Sequence, residues 1–282
     1  MSELAQLHEI EISADSSTLV FSQTPPPSIN NGVFDRTLLT RLDLTASGAE
    51  AENFLGGEVP NEFYNMPVLS EDGRYIYYSR LGPDWDSITG TDTFYGIERY
   101  DLETNQRLPI VPNSIWPQLS PDGSKVLFII LDVPTQQRGL GIVNADGTEP
   151  ELLIDIGRFF DIDSPIFAPD GQSVYGSLVE EQPEATLFEK LLGINVAYAH
   201  TEHNIPSTWW QLTLDGSEPV PLATEPIILN NGRFQSDNRY LFLSSSTGIN
   251  YLNLGKLEQA ETPLYDVLLE SSELGMLQWV AE

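Results

Sequence analysis

The chain has 282 residues, 40% of them hydrophobic and 20% charged, a globular composition rather than a disordered one. Its 42 acidic and 13 basic residues give a formal net charge of −29, a field that repels a nucleic-acid backbone and an anionic membrane surface. There is no cysteine, so disulfides, thiolate metal sites and cysteine nucleophiles are excluded, and no apolar run reaches the ~18 residues of a transmembrane segment.

Along the sequence one pattern recurs. An apolar alternation is followed by Ser or Ala, any residue, Asp, usually Gly, and a second apolar run. The first copy is Ser13-Ala14-Asp15-Ser16 before Thr18-Leu19-Val20-Phe21, and the second is Ser70-Glu71-Asp72-Gly73 before Tyr75-Ile76-Tyr77-Tyr78. Ser120-Pro121-Asp122-Gly123 precedes Val126-Leu127-Phe128-Ile129, and Ala168-Pro169-Asp170-Gly171 precedes Ser173-Val174-Tyr175. The fifth is Ser236-Asp237-Asn238 before Tyr240-Leu241-Phe242-Leu243. Asp-Gly between two β-prone runs predicts a tight hairpin turn, with glycine at the position of positive φ and the aspartate bonding the turn backbone. A third run follows each copy: Leu38–Asp43, Gly96–Asp101, Leu140–Asn144, Trp209–Leu214 and Ile249–Leu254. Each ends in a polar turn leading to a fourth, so the repeat reads as strands a, b, c and d.

A period near fifty residues, with four short strands in each, predicts an all-β propeller of about five or six four-stranded antiparallel blades filling residues 1–282 as one domain. The quoted segments, above all Ile115-Trp116-Pro117-Gln118-Leu119-Ser120-Pro121-Asp122-Gly123 and Ile166-Phe167-Ala168-Pro169-Asp170-Gly171, resemble the WD40-like (PD40) repeat of TolB-type β-propellers. The resemblance covers nearly the whole sequence and implies the fold; its motif residues make turns and imply little about activity. Residues 273–282 read as a strand that closes the ring or begins a truncated further blade. The largest departure is residues 180–208, where Pro183–Gly193 reads as a short helix with Leu187, Phe188, Leu191 and Leu192 on one face, an expected lid or docking arm.

In such blades the loops entering strand a and the b–c loops share one face, the default site. The candidates there are Tyr64, Asn65, Trp116, Phe160 and Asp161 at the entrances to strands a, Arg138 and Trp85 from b–c loops, and Trp209 at the start of a strand c. Trp85, between Asp84 and Asp86, either stacks on a sugar or anchors a partner, or folds back onto its own blade. Asp84, Asp86 and Asp92 alternate as calcium ligands do, but position five is Ile88 and the turn glycine is missing, which favours a plain solvated loop. His200 and His203 with Glu202 offer zinc-type donors without a His-Glu-x-x-His spacing, and no enzymatic metal centre is expected. No Gly-x-Ser-x-Gly elbow marks a hydrolase.

The expected function is therefore a non-enzymatic module that presents one face to a protein or glycan, with no cofactor. The alternative is a propeller hydrolase or lyase using channel carboxylates with a histidine or metal. Met1-Ser2-Glu3-Leu4 lacks the basic and apolar regions of a secretory signal. A cytoplasmic protein is expected, or a mature periplasmic or extracellular segment behind a new methionine.

Overall fold

The structure is a computed structural model describing residues 6–25, 36–57, 59–83, 93–132, 134–180, 207–222, 230–234, 240–245, 248–254 and 266–270. They form five four-stranded antiparallel sheets, each from four consecutive strands in sequence order. The first contains β1 (Gln6–Ile12), β2 (Thr18–Thr24), β3 (Leu38–Asp43) and β4 (Glu52–Gly56). The second contains β5 (Phe63–Leu69), β6 (Tyr75–Pro83), β7 (Thr93–Asp101) and β8 (Gln106–Pro112). The third contains β9 (Ser114–Leu119), β10 (Lys125–Asp132), β11 (Gln137–Asn144) and β12 (Glu151–Ile154). The fourth contains β13 (Asp161–Phe167), β14 (Ser173–Val179), β15 (Thr208–Thr213) and β16 (Val220–Pro221). The fifth contains β17 (Asn230–Phe234), β18 (Tyr240–Ser245), β19 (Gly248–Asn253) and β20 (Asp266–Glu270).

These sheets are the blades of a propeller. Strands a touch in succession, β1 to β5, β5 to β9, β9 to β13 and β13 to β17, so they line the axis while the strands d lie outside. The apolar core is divided into slabs between blades. Ile76 and Tyr78 of β6 pack toward the first blade with Val20, Leu39 and Tyr64, whereas Tyr77 packs toward the third with Val126 and Phe128. β10 repeats this: Val126 and Phe128 face the second blade, and Leu127 and Ile129 face the fourth. Strand side chains alternate between faces, so a strand buried on both sides has to read as a continuous apolar run. Each large side chain buried this way contributes roughly 1.5–3 kcal/mol.

Each a–b connection has five residues between strands, and its chemistry repeats. The N–H of Gly73, Gly123 and Gly171 donates to the carbonyl of Ser70, Ser120 and Ala168 at 2.9, 2.8 and 2.9 Å. Those three glycines have φ near +70° (70°, 68° and 68°), and Ser16 fills the same place at 57°. Asp72 Oδ1 accepts from the Ser70 hydroxyl at 2.6 Å and the Arg74 N–H at 3.0 Å; Asp122 is held likewise by Ser120 and Ser124. Asp15 and Asp170 close the same loop, while Asp237 lies outside the described residues. The c–d turns use Asp43, Asp101, Asp146 and Asp215 in the same manner.

Every strand a carries a bulge. In β5, β9 and β13 two residues oppose one on strand b, and they are Met66-Pro67, Trp116-Pro117 and Ser164-Pro165. Proline has no N–H for the ladder, so the register slips there. Met66, Trp116 and Ser164 take φ of 54°, 60° and 49°.

Among the described residues no helix is long and apolar enough to cross a membrane. The anticipated helix at 183–193 and the strand at 273–282 lie outside the described residues.

Candidate functional site

The two ends of the blades differ. The a–b turns never vary in length, but the b–c connections are residues 25–37, 84–92, 133–136, 180–207 and 246–247. The d–a connections emerge at the same end. The b–c connections, which vary most, thus lie on one face, and the a–b turns of constant length on the other, beside c–d connections 44–51, 102–105, 145–150, 214–219 and 254–265.

Beneath this face the innermost strands are tied to the blade before them. A strand a has no ladder partner on its inner edge, so its outward N–H and C=O groups need other partners. The Tyr64 N–H donates to Thr37 Oγ1 at 2.6 Å and the Thr37 hydroxyl donates to the Tyr64 carbonyl at 2.9 Å. The Trp116 N–H donates to Ser79 Oγ at 3.0 Å, and Arg138 Nη1 donates to the Ile162 carbonyl at 3.0 Å.

This arrangement decides where the sequence-derived candidates lie. Arg138 and Asp161 meet, at 2.9 Å, in a largely buried ion pair joining the third and fourth blades. Asn65 is half-buried and accepts from Thr37 at 3.1 Å. Phe160 is half-buried, with its N–H on the Val179 carbonyl. Tyr64, Trp116 and Trp209 are buried in the slabs between blades, where the neighbouring blade supplies the wall that covers them. Trp209 and Trp210 point to opposite sides of β15, one toward the fifth blade and one toward the third, where Trp210 meets Phe159 edge-on at 5.3 Å. Trp85, Asp84, Asp86, Asp92, His200 and His203 lie outside the described residues. Among the described residues no group of three or more histidines or carboxylates is placed to hold a metal ion.

A site the sequence did not announce lies between the first two blades. Glu62, at the entrance to β5, pairs with Arg80 on β6 at 2.9 Å; Arg80 reaches Glu98 on β7 at 3.5 Å; Glu98 pairs with Arg107 on β8 at 2.6 Å. The Tyr78 hydroxyl donates to Glu98 at 2.8 Å. Glu62, Arg80 and Glu98 are each about 95% buried (4%, 4% and 5% exposed), whereas a third of the Arg107 side chain reaches solvent. Arg107 lies over the Tyr64 ring, 5.6 Å from its centroid. Burial pushes the Tyr64 hydroxyl up to about 12, with Arg107 opposing and Glu62, to which it hydrogen-bonds, reinforcing the shift. The available signal was a charge inside an apolar strand: Glu98 in Gly96-Ile97-Glu98-Arg99-Tyr100, and Arg80 closing Tyr75–Ser79. Above the network opens a cleft of about 410 Å³ bounded by Asn53, Phe54, Leu55, Val59 and Arg107.

No family model matches the sequence, and no curated protein does. Solved structures do resemble it. A putative TolB from Agrobacterium tumefaciens superposes with a TM-score of 0.65 at 14% identity, over 98% of this chain and 86% of that one. TolB from Acinetobacter baumannii gives 0.55 at 12% identity, over 95% of this chain and 53% of that one. An oligogalacturonate lyase in complex with manganese gives 0.57 at 13% identity, over 93% and 64%. Identities this low speak to fold alone, and that fold is a TolB-like β-propeller.

Proposed function

We propose that the protein is a binding module that holds another protein on the face formed by its b–c and d–a loops. The observation that carries this reading is the asymmetry of the connections. Five a–b turns have the same length, whereas the b–c connections range from residues 246–247 to residues 180–207. A blade needs only a short link between neighbouring antiparallel strands, so the extra length serves something other than the fold. The formal charge of −29 favours a basic partner through steering and complementarity. A protein partner agrees with one further structural neighbour, a nidogen/laminin complex, in which a chain of similar fold belongs to an assembly of proteins.

Photo-crosslinking tests it. A benzophenone amino acid placed at Trp85, in the 84–92 connection, is expected to yield a discrete adduct in native-host cells that weakens as salt is raised. The same group at Asp146, on the opposite turns, is expected to yield none. Adducts from position 146 alone, or none from positions 85, 136 and 190, would overturn the reading.

A further inference from the structure

We propose that the cleft between the first two blades is a binding site for a carboxylate joined to an apolar group, as in a small hydrophobic acid or the free carboxyl end of a peptide. Its volume, about 410 Å³, falls within the ~300–1,000 Å³ of ligand pockets. Phe54, Leu55 and Val59 supply apolar walls.

Among the described residues, two donors stand at its edge. Arg107 gives Nε and Nη2 to Glu98 Oε2, at 3.0 and 2.6 Å, and its Nη1 makes no hydrogen bond among the described residues. The Asn53 carbonyl oxygen is occupied by Thr40 at 2.8 Å and Gln23 at 3.1 Å, which leaves its NH₂ for the cleft. Glu62, the carboxylate at the cleft, accepts on Oε1 from Arg80 Nε and Nη2 at 3.1 and 2.9 Å, and the Tyr64 hydroxyl bonds it as well. Two donors, one of them a fixed cation, favour an acceptor.

The cation is fixed in place. Its guanidinium is clamped by a carboxylate from a neighbouring strand and rests on the Tyr64 ring, so little side-chain freedom remains to be lost on binding. The surroundings agree in sign. Four of the protein's ten arginines gather here: Arg80, Arg107, Arg36, whose Nη1 meets the Gly57 carbonyl, and Arg41, paired with Glu52 at the start of β4. They face Glu52, Glu62 and Glu98, so these groups together carry one positive charge in a protein of net charge −29.

Calorimetry with N-acetyl-L-phenylalanine and with its amide tests the site, using the full-length protein at low salt. The acid is expected to bind with a Kd of order 1 mM or below, and the amide about tenfold or more weaker. A short Gly/Ser peptide ending in free phenylalanine, beside its amidated form, separates the two sources. Tighter binding of the free-ended peptide than of the small acid assigns the site to peptide termini, and the reverse assigns it to small acids. Arg107→Gln is expected to abolish the preference for acid over amide. Val59→Trp, which fills the cleft without touching the ion network, is expected to abolish binding of both, with the circular dichroism spectrum unchanged. No heat from the acid at about 10 mM, equal binding of acid and amide, or full binding by Val59→Trp would overturn the proposal. Arg107 stands on β8, outside the b–c and d–a loops, so the Arg107→Gln outcome leaves the crosslinking result at position 85 unaffected.

Discussion

Thr37 and Tyr64 exchange two hydrogen bonds through one hydroxyl: Thr37 Oγ1 accepts from the Tyr64 N–H at 2.6 Å and donates to the Tyr64 carbonyl at 2.9 Å. Both residues are about 99% buried (1% exposed each), so water does not replace the hydroxyl if it is lost. The contact satisfies the inner edge of β5 from the preceding blade, which couples edge protection to blade stacking. Thr37→Val keeps the shape but orphans both groups, and is expected to cost about 1–3 kcal/mol in urea unfolding. Thr37→Ser retains the hydroxyl and is expected to cost much less. Equal losses for the two variants would show that packing, not hydrogen bonding, matters here.

Arg80 serves two buried carboxylates, Glu62 and Glu98. Arg80→Met strands the buried Glu62 carboxylate, while Glu98 keeps Arg107 and the Tyr78 hydroxyl, an expected loss of about 3–5 kcal/mol. Adding Glu62→Gln to that variant removes the stranded charge and is expected to recover part of the loss. The cycle is read from denaturant midpoints. If the double variant is no more stable than Arg80→Met alone, the coupling assigned to this pair is absent.

Gly141 on β11 lies under the Phe128 ring, and a Cβ there would stand 2.4 Å from the ring's terminal carbon. Gly141→Ala is expected to cost about 1–3 kcal/mol by overpacking. Phe128→Leu clears that space, so combining the two is expected to cost less than the sum of the single changes. Strict additivity in thermal unfolding would contradict the close approach.

The turn aspartates give the stability a pH dependence. Hydrogen bonds from neighbouring hydroxyls and N–H groups hold Asp15, Asp122 and Asp215 at about 2, below their unfolded value near 4. Because the folded values are depressed, the contribution is complete above pH ~4 and is lost as pH falls through ~2. Above that window, acidification toward the isoelectric point near 4.1 relieves self-repulsion in a protein of charge −29. Stability is therefore expected to rise on lowering the pH from 7 toward 4–5, and then to fall. Asp122→Asn is expected to be less stable than the parent at pH 5, with the gap closing toward pH 2. A gap that stays constant would detach Asp122 from the acid limb.

The features legible in the sequence were those whose physics is local. A Ser-x-Asp-Gly turn is complete within five residues, because the serine, the aspartate and the positive-φ glycine satisfy one another. The hairpins around Asp15, Asp72, Asp122 and Asp170 can therefore be read directly from the order of the residues. The same holds for strand order within a blade and for the unequal b–c connections. What the tertiary structure decided was which side chains are covered. Tyr64, Trp116 and Trp209 stand at positions that a lone blade would leave open, and each is buried because a neighbouring blade supplies the opposing wall, the preceding one for Tyr64 and the following one for the two tryptophans. The network of Glu62, Arg80, Glu98 and Arg107 was beyond local reading for the same reason. Its members come from the start of one strand and from three others, and only the stacking of β5 to β8 against the first blade takes them out of water and forces them to pair.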